Sequence, residues 1–268
     1  MKISKNKLLL RFAEMVDDSE KWNIELKRLL FLKLCTIVVF FAQNSKIYAR
    51  EDDDKINLSL DVASGFVWRG LVINTLPVLQ PSFSFSPGKF SMGAWASTPL
   101  VSGSDQPQEL DLFANYRLLP FLSINITDYY IYNANSSNSY FNYHKNETCH
   151  ALDLQLIYSG CDRFPIKAMI STIIAGNDPN SRGNNNYSTY IELGYENSLK
   201  GVDWEVFAGM VPMSSSFYAI DGAHVINLGL GLAKKIPVTE SYSLPLSMTF
   251  TINPAAKSVF LSAIMTLF

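Results

Sequence analysis

Histidine and cysteine are scarce in this 268-residue chain: His144, His150 and His224 are the only histidines, and Cys35, Cys149 and Cys161 the only cysteines. Beyond the N-terminal region there is no run of about 18 uncharged apolar residues, which excludes helical membrane spans there. Basic charge is also short. Residues 1–49 hold 9 of the 22 Lys and Arg and 5 of the 24 Asp and Glu, so 50–268 carry 13 and 19, a net of −6. That balance excludes a nucleic-acid partner. Cys149 and Cys161 flank one predicted strand, and twelve steps at about 3.3 Å would separate them by roughly 40 Å. A disulfide needs Cα atoms within about 7 Å, so the two are expected to stay unbonded.

The N-terminal 49 residues stand apart. Leu29 to Ala42 is apolar except for Lys33 and follows Lys27 and Arg28, and Ile47-Tyr48-Ala49 offers a small residue for cleavage. This reads as a secretory signal peptide over 1–49, with an unusually long stretch ahead of its apolar run. The alternative, an anchoring helix, is disfavoured because the run is short and carries a lysine.

What the remainder has in abundance is alternation. Ile56-Asn-Leu-Ser-Leu-Asp-Val62, Leu152-Asp-Leu-Gln-Leu156 and Ile226-Asn-Leu-Gly-Leu-Gly-Leu232 place apolar and polar side chains at every second position. A strand turns successive side chains to opposite faces, so each segment has one oily and one wet face. Twelve strands are predicted: 56–69, 77–86, 89–98, 108–118, 121–131, 149–159, 165–174, 187–197, 201–211, 223–234, 240–252 and 257–268. Tight connections such as Ser86-Pro-Gly-Lys89 and Asn197-Ser-Leu-Lys-Gly201 alternate with longer ones at 99–107, 132–148, 175–186 and 212–222. Alternating short and long connections, with aromatics at 13%, predict an all-β, closed antiparallel up-and-down transmembrane barrel over 50–268. The expected setting is the bacterial outer membrane. Its lipid would be one partner, and the barrel-assembly machinery, engaging the last strand at Phe268, another.

Parity assigns the faces. Leu58, Leu60, Val62, Leu79, Phe83, Phe85, Leu110, Leu112, Tyr116, Leu152, Leu154, Leu156, Trp204, Val206, Ile226, Leu228, Leu230, Leu244, Leu246, Met248, Phe250, Leu261, Ala263 and Met265 are expected outside. The lumen is expected to be lined by Asp61, Glu109, Asp111, Asn115, Arg117, Asp153, Gln155, Lys167, Glu192, Glu196, Asp203, Glu205 and Asn227. So many carboxylates would be prohibitive in a dry core without partners, so a wet interior is the expected solution. Phe113, Phe207 and Trp95 fall on the same inward parity, so the lumen is not a wide pipe.

Ser64-Gly-Phe-Val-Trp-Arg-Gly70, with Trp68, Arg69 and Gly70 at its end, is followed by Pro77, Gln80 and then Gly93-Ala-Trp95. This succession resembles the opening of a small outer-membrane family labelled TorF-type porins, also known by its Gly-x-Trp motif. Glu109-Leu-Asp-Leu-Phe-Ala-Asn-Tyr116 and Asp128-Tyr-Tyr130 are similar to its next strands. The resemblance implies a barrel and solute passage, without a substrate. The last strand departs from the usual pattern: Phe268, Ile264 and Phe260 alternate with Thr266 and Ser262, and the oilier face runs from Val259 to Leu267.

Catalysis finds little support. A phospholipase-type barrel would need Ser, His and an orienting amide or carboxylate together; His224 with Asn227 is the nearest cluster, and no Gly-x-Ser-x-Gly is present. Asp178 to Asn186 lacks the acidic spacing and closing Glu of a calcium loop and reads as a flexible external loop. No catalytic residue, metal or cofactor is expected. The reading that follows is a narrow solute channel. Eight inward acids against Arg69, Arg117 and Lys167 favour cations. A plugged structural or surface-interaction barrel is the alternative, and an outer-membrane enzyme a lesser one.

Overall fold

The computed structural model describes residues 56–268 apart from 102–104, 134–138, 145–146 and 241. The proposed signal peptide lies outside the described residues. Twelve strands close a barrel: β1 (Ile56–Ala63), β4 (Val78–Phe85), β5 (Phe90–Pro99), β6 (Gln108–Leu119), β7 (Leu122–Tyr132), β8 (His150–Tyr158), β9 (Ile166–Gly176), β10 (Thr189–Leu199), β11 (Val202–Val211), β12 (His224–Pro237), β13 (Ser243–Asn253) and β14 (Ser258–Thr266). Each pairs antiparallel with its neighbours, and β1 closes the ring by pairing with both β4 and β14. Closure removes the sheet edges that would otherwise leave backbone groups unpaired.

The β1–β14 seam is short. Paired positions run only from Asp61↔Thr266 to Ala63↔Ile264, against eight positions between β1 and β4. Backbone bonds from Ser64 N–H to the Ala263 carbonyl and from Leu267 N–H to the Leu60 carbonyl, both at 2.8 Å, extend it. The tight turns gather at one rim. Between β10 and β11, Lys200 (φ 53°) and Gly201 (φ 75°) are both left-handed, the two-residue turn whose twist suits a hairpin. The longer connections gather at the opposite rim.

One expected element divides. The segment predicted as a single strand over 56–69 leaves the wall at Ala63. Its continuation is a separate two-stranded hairpin, β2 (Phe66–Trp68) and β3 (Leu71–Asn74), paired only with itself. Alternation stops near Ala63: Ser64-Gly65 follows, and β2 is Phe66-Val67-Trp68, apolar at three successive positions. The break falls at a Ser-Gly step that the expected strand ran through. The connection expected at 70–76 therefore spans 64–77, and its hairpin folds into the barrel.

The outer face is apolar all round the ring. Leu58, Phe83, Leu112, Ile126, Leu154, Leu156, Ile170, Val206, Leu230, Phe250 and Leu261 are each 36–60% exposed. Ile226 corrects the parity assignment. Gly209 pairs with Asn227 while Met210 pairs with Val225, so Ile226 is an extra residue in a bulge. It is fully buried, packed with Tyr190, Val211 and Tyr218 and against Trp68 and Leu71. A bulge breaks the period of two locally, which turns consecutive residues to one face.

Candidate functional site: a latched hairpin in the lumen

The hairpin tip is Trp68-Arg69-Gly70-Leu71. Arg69 (φ 48°) and Gly70 (φ 80°) are both left-handed, a conformation that costs a side chain-bearing residue roughly 1–2 kcal/mol. Gly70 is required twice over. Its backbone needs glycine's freedom, and a Cβ there would sit 1.9 Å from the Ile226 carbonyl oxygen. The Asn253 side-chain amide donates to the Gly70 carbonyl at 3.0 Å, tying the tip to β13.

Arg69 offsets its strain through its partners. Nη2 donates to the Asp153 carboxylate at 2.9 Å and Nη1 to the Tyr218 hydroxyl at 2.6 Å. Its guanidinium carbon lies 4.4 Å from the Trp68 ring centre and 4.9 Å from that of Tyr190, a distance at which a desolvated cation gains from the ring faces. Asp153 is fully buried and accepts from four side chains in all: Arg69, Tyr129 at 3.3 Å, Gln155 at 2.9 Å and Ser171 at 2.6 and 2.8 Å. A buried carboxylate so surrounded is satisfied; one stripped of its cation would not be.

The rest of the hairpin grips other walls. Phe66 packs on Trp95 of β5, with ring centres 5.1 Å apart, and on Ala63, Val78 and Ile264. Trp68 meets Tyr129 edge-on at 5.2 Å and stacks on Tyr218 at 5.9 Å. Gly93 accommodates Phe113, since a Cβ at 93 would fall 2.6 Å from that ring. The Gly-x-Trp and Trp-Arg-Gly segments thus meet in one place: Trp95 is the wall on which the hairpin rests.

From the long-loop rim a lid covers the hairpin. Asp178, expected in a flexible loop, is fully buried and accepts from the Ser188 N–H at 2.8 Å and hydroxyl at 2.6 Å. Ser188 and Ser215 hydroxyls bond at 2.6 Å, and Ser216 donates to the Pro179 carbonyl at 2.6 Å, knitting 177–188 to 212–223. Phe217 and Tyr218 of the second loop press on Trp68. Nothing in a single sequence signals this knitting, because its partners are 27 and 37 residues apart.

The inward set divides by depth. Asp153 and Gln155 belong to the latch. Asn227 donates to the Tyr190 hydroxyl at 2.9 Å and the Glu192 carboxylate at 3.0 Å, and Tyr190 donates to Glu192. A cavity of about 60 Å³ lies beneath the tip, lined by Arg69, Gly70, Glu205, Phe207, Asn227 and Thr249 among others. Lys167 and Glu196 form an ion pair toward the short-turn rim. Asp203 is exposed near them, and Arg117 is held at 3.4 Å by the Gly88 carbonyl rather than by an acid. Asp61 and Asn115 are half-buried, whereas Glu109 and Asp111 are buried on β6.

Histidine chemistry is not assembled around His224. That ring bonds the Asp221 carbonyl at 3.0 Å, while Asn227 is engaged in the lumen. His150 lies against Asp128, with Nδ1 2.9 Å from the carboxylate and Nε2 2.5 Å from the Tyr140 carbonyl, so both ring nitrogens face acceptors. Among the described residues no three His, Cys, Asp or Glu side chains are grouped to hold a metal.

No family model, no curated protein and no solved structure matches this chain.

Proposed function

We propose that this chain is an outer-membrane barrel with a narrow, cation-preferring lumen, closed at rest by its internal hairpin and opened when that hairpin leaves its seat. The observation that carries the membrane setting is the apolar outer wall, exposed on every side of a closed ring. In water so large an apolar surface would drive association; in a bilayer it is the surface a barrel needs. Lipid is then the partner of the outer face, and the final strand ending at Phe268 is the element offered to the assembly machinery. The resemblance to TorF-type porins supports the same reading.

Passage of ions or small solutes is supported by the wet, acid-rich lower lumen, where Glu192, Glu196, Asp203 and Glu205 outnumber Lys167 and Arg117. A second reading, a permanently plugged barrel acting through its loops, is favoured by the sealed lid over Trp68. Planar-bilayer recordings on the refolded protein and on a variant with 65–75 replaced by a flexible linker separate the two. The passage reading expects a quiet wild type and a conducting variant. Silence from both, with intact barrels, favours the permanent plug.

A further inference from the structure

We propose that Glu109 and Asp111 form a binding site for a small, hard divalent cation of calcium's class, set between the barrel wall and the hairpin. The two acids occupy successive inward positions on β6, with relative exposures of 4% and 8%. Side chains two apart on a strand share a face, so the two carboxyl groups are neighbours on β6, opposite Ser97 and Trp95 of β5. One oxygen of each, Oε2 of Glu109 and Oδ1 of Asp111, is buried with no hydrogen-bond partner.

Asp153 supplies the contrast. It is buried as deeply, yet it receives an arginine and three neutral donors. Ion pairs among the described residues join Arg69 to Asp153, His150 to Asp128 and Lys167 to Glu196, and none reaches Glu109 or Asp111. Two like charges side by side, shielded from water, are relieved either by a bound cation or by a shared proton, and the proposal is the cation. The polar groups nearby make bonds of their own, Gln80 donating to Ser97 at 3.4 Å and Asn74 to the Pro107 carbonyl at 3.2 Å. Two carboxylates provide up to four hard oxygens, the ligand type calcium takes, and so short a ligand set places the affinity in the weak range of ~10⁻⁴–10⁻³ M.

The pair is bracketed by the hairpin. Asn74 bonds the wall two residues before Glu109, and Phe66 packs on Trp95, the cross-strand partner of Asp111. A cation here would fasten the hairpin to β6 on the side away from Asp153.

Trp95 makes the site readable, because terbium bound beside an excited indole emits. The full refolded protein in detergent is titrated with terbium and then with calcium. The proposal expects saturable sensitised emission displaced by calcium and strongly reduced in Trp95→Phe. Glu109→Gln/Asp111→Asn should weaken terbium binding at least ~10-fold, and Asp162→Asn, in the exposed turn after β8, should leave it unchanged. Folding of each variant is checked by heat-modifiable migration, and single Glu109→Gln serves if the double variant fails to fold. Equal emission from the wild type and the pair variant overturns the proposal. So does a wild type without saturable emission, which leaves a shared proton as the counter-charge. The outcome is independent of whether the lumen conducts.

Discussion

The Arg69 guanidinium meets the Asp153 carboxylate at 2.9 Å across 84 residues of sequence, inside the barrel, with side-chain exposures of 7% and 0%. The pair fastens the tip of the hairpin to the far wall. Removing the arginine leaves a buried carboxylate without its cation, a change worth about 3–5 kcal/mol. Arg69→Ala is therefore expected to lower the denaturation midpoint sharply. Arg69→Ala/Asp153→Asn should recover part of the loss. A double variant no more stable than the single one would show that the charge pair is not what fastens the hairpin.

Gly70→Ala probes the seat rather than the charge. The added methyl would fall on the Ile226 carbonyl oxygen, and the left-handed backbone adds strain. The barrel should still form, because its strands pair without the hairpin. Limited proteolysis should then cut within 64–77 of the variant and spare the wild type. Equal resistance in both proteins would contradict the tight seating of the tip.

Outward and inward positions should differ in their tolerance of charge. Leu154→Arg, on the outer wall, is expected to cost about 2–4 kcal/mol if it meets the bilayer midplane. The inward control must avoid the latch, which rules out Asp153 and Asn227. Asn115, half-buried in the lower lumen, is suited, and Asn115→Arg should refold close to wild type. Folding yields into vesicles, read by heat-modifiable migration, make the comparison; equal damage at both sites would argue against a lipid-facing outer wall.

Once the hairpin is removed, reversal potentials across a salt gradient should show cation preference. The fixed charge comes from Glu192, Glu196, Asp203 and Glu205, and replacing Glu205 and Asp203 by Gln and Asn should reduce the preference. Added salt should weaken it as the screening length contracts. An anion preference in the parent variant would refute the charge argument.

Cys161 reports on orientation. It stands beyond β8 at the short-turn rim, and Cys149 stands at the opposite end; neither is in a disulfide. The Tyr158 hydroxyl, 3.2 Å away, holds the Cys161 thiol below its ordinary range, so more of it is thiolate near neutral pH. Tyr158→Phe should slow its alkylation at neutral pH and leave the rate at high pH little changed. With the short-turn rim in the periplasm, an impermeant maleimide should label Cys161 only after the outer membrane is permeabilised. Labelling in intact cells would put the short-turn rim on the outside.

The strand rhythm was legible from the residues because a period of two is local: Leu152 to Leu156 shows both faces of β8 without reference to any other strand. The short turns were legible for the same reason, since Pro-Gly at 87–88 and Lys-Gly at 200–201 act within a few residues. Only the tertiary structure decided that 66–74 leaves the wall. The local hints are a Ser64-Gly65 step and the glycine after Arg69, and neither says that the hairpin turns into the lumen. It also decided which inward acids are partnered. Asp153 and Asp111 look alike as inward aspartates of periodic segments, β8 and β6, yet one receives Arg69 and the other receives no cation among the described residues. Pairing at such sequence separations depends on where the closed ring brings distant strands together. The bulge at Ile226 follows the same logic: one extra residue opposite Gly209 and Met210 exchanges faces, and only the register with β11 reveals it.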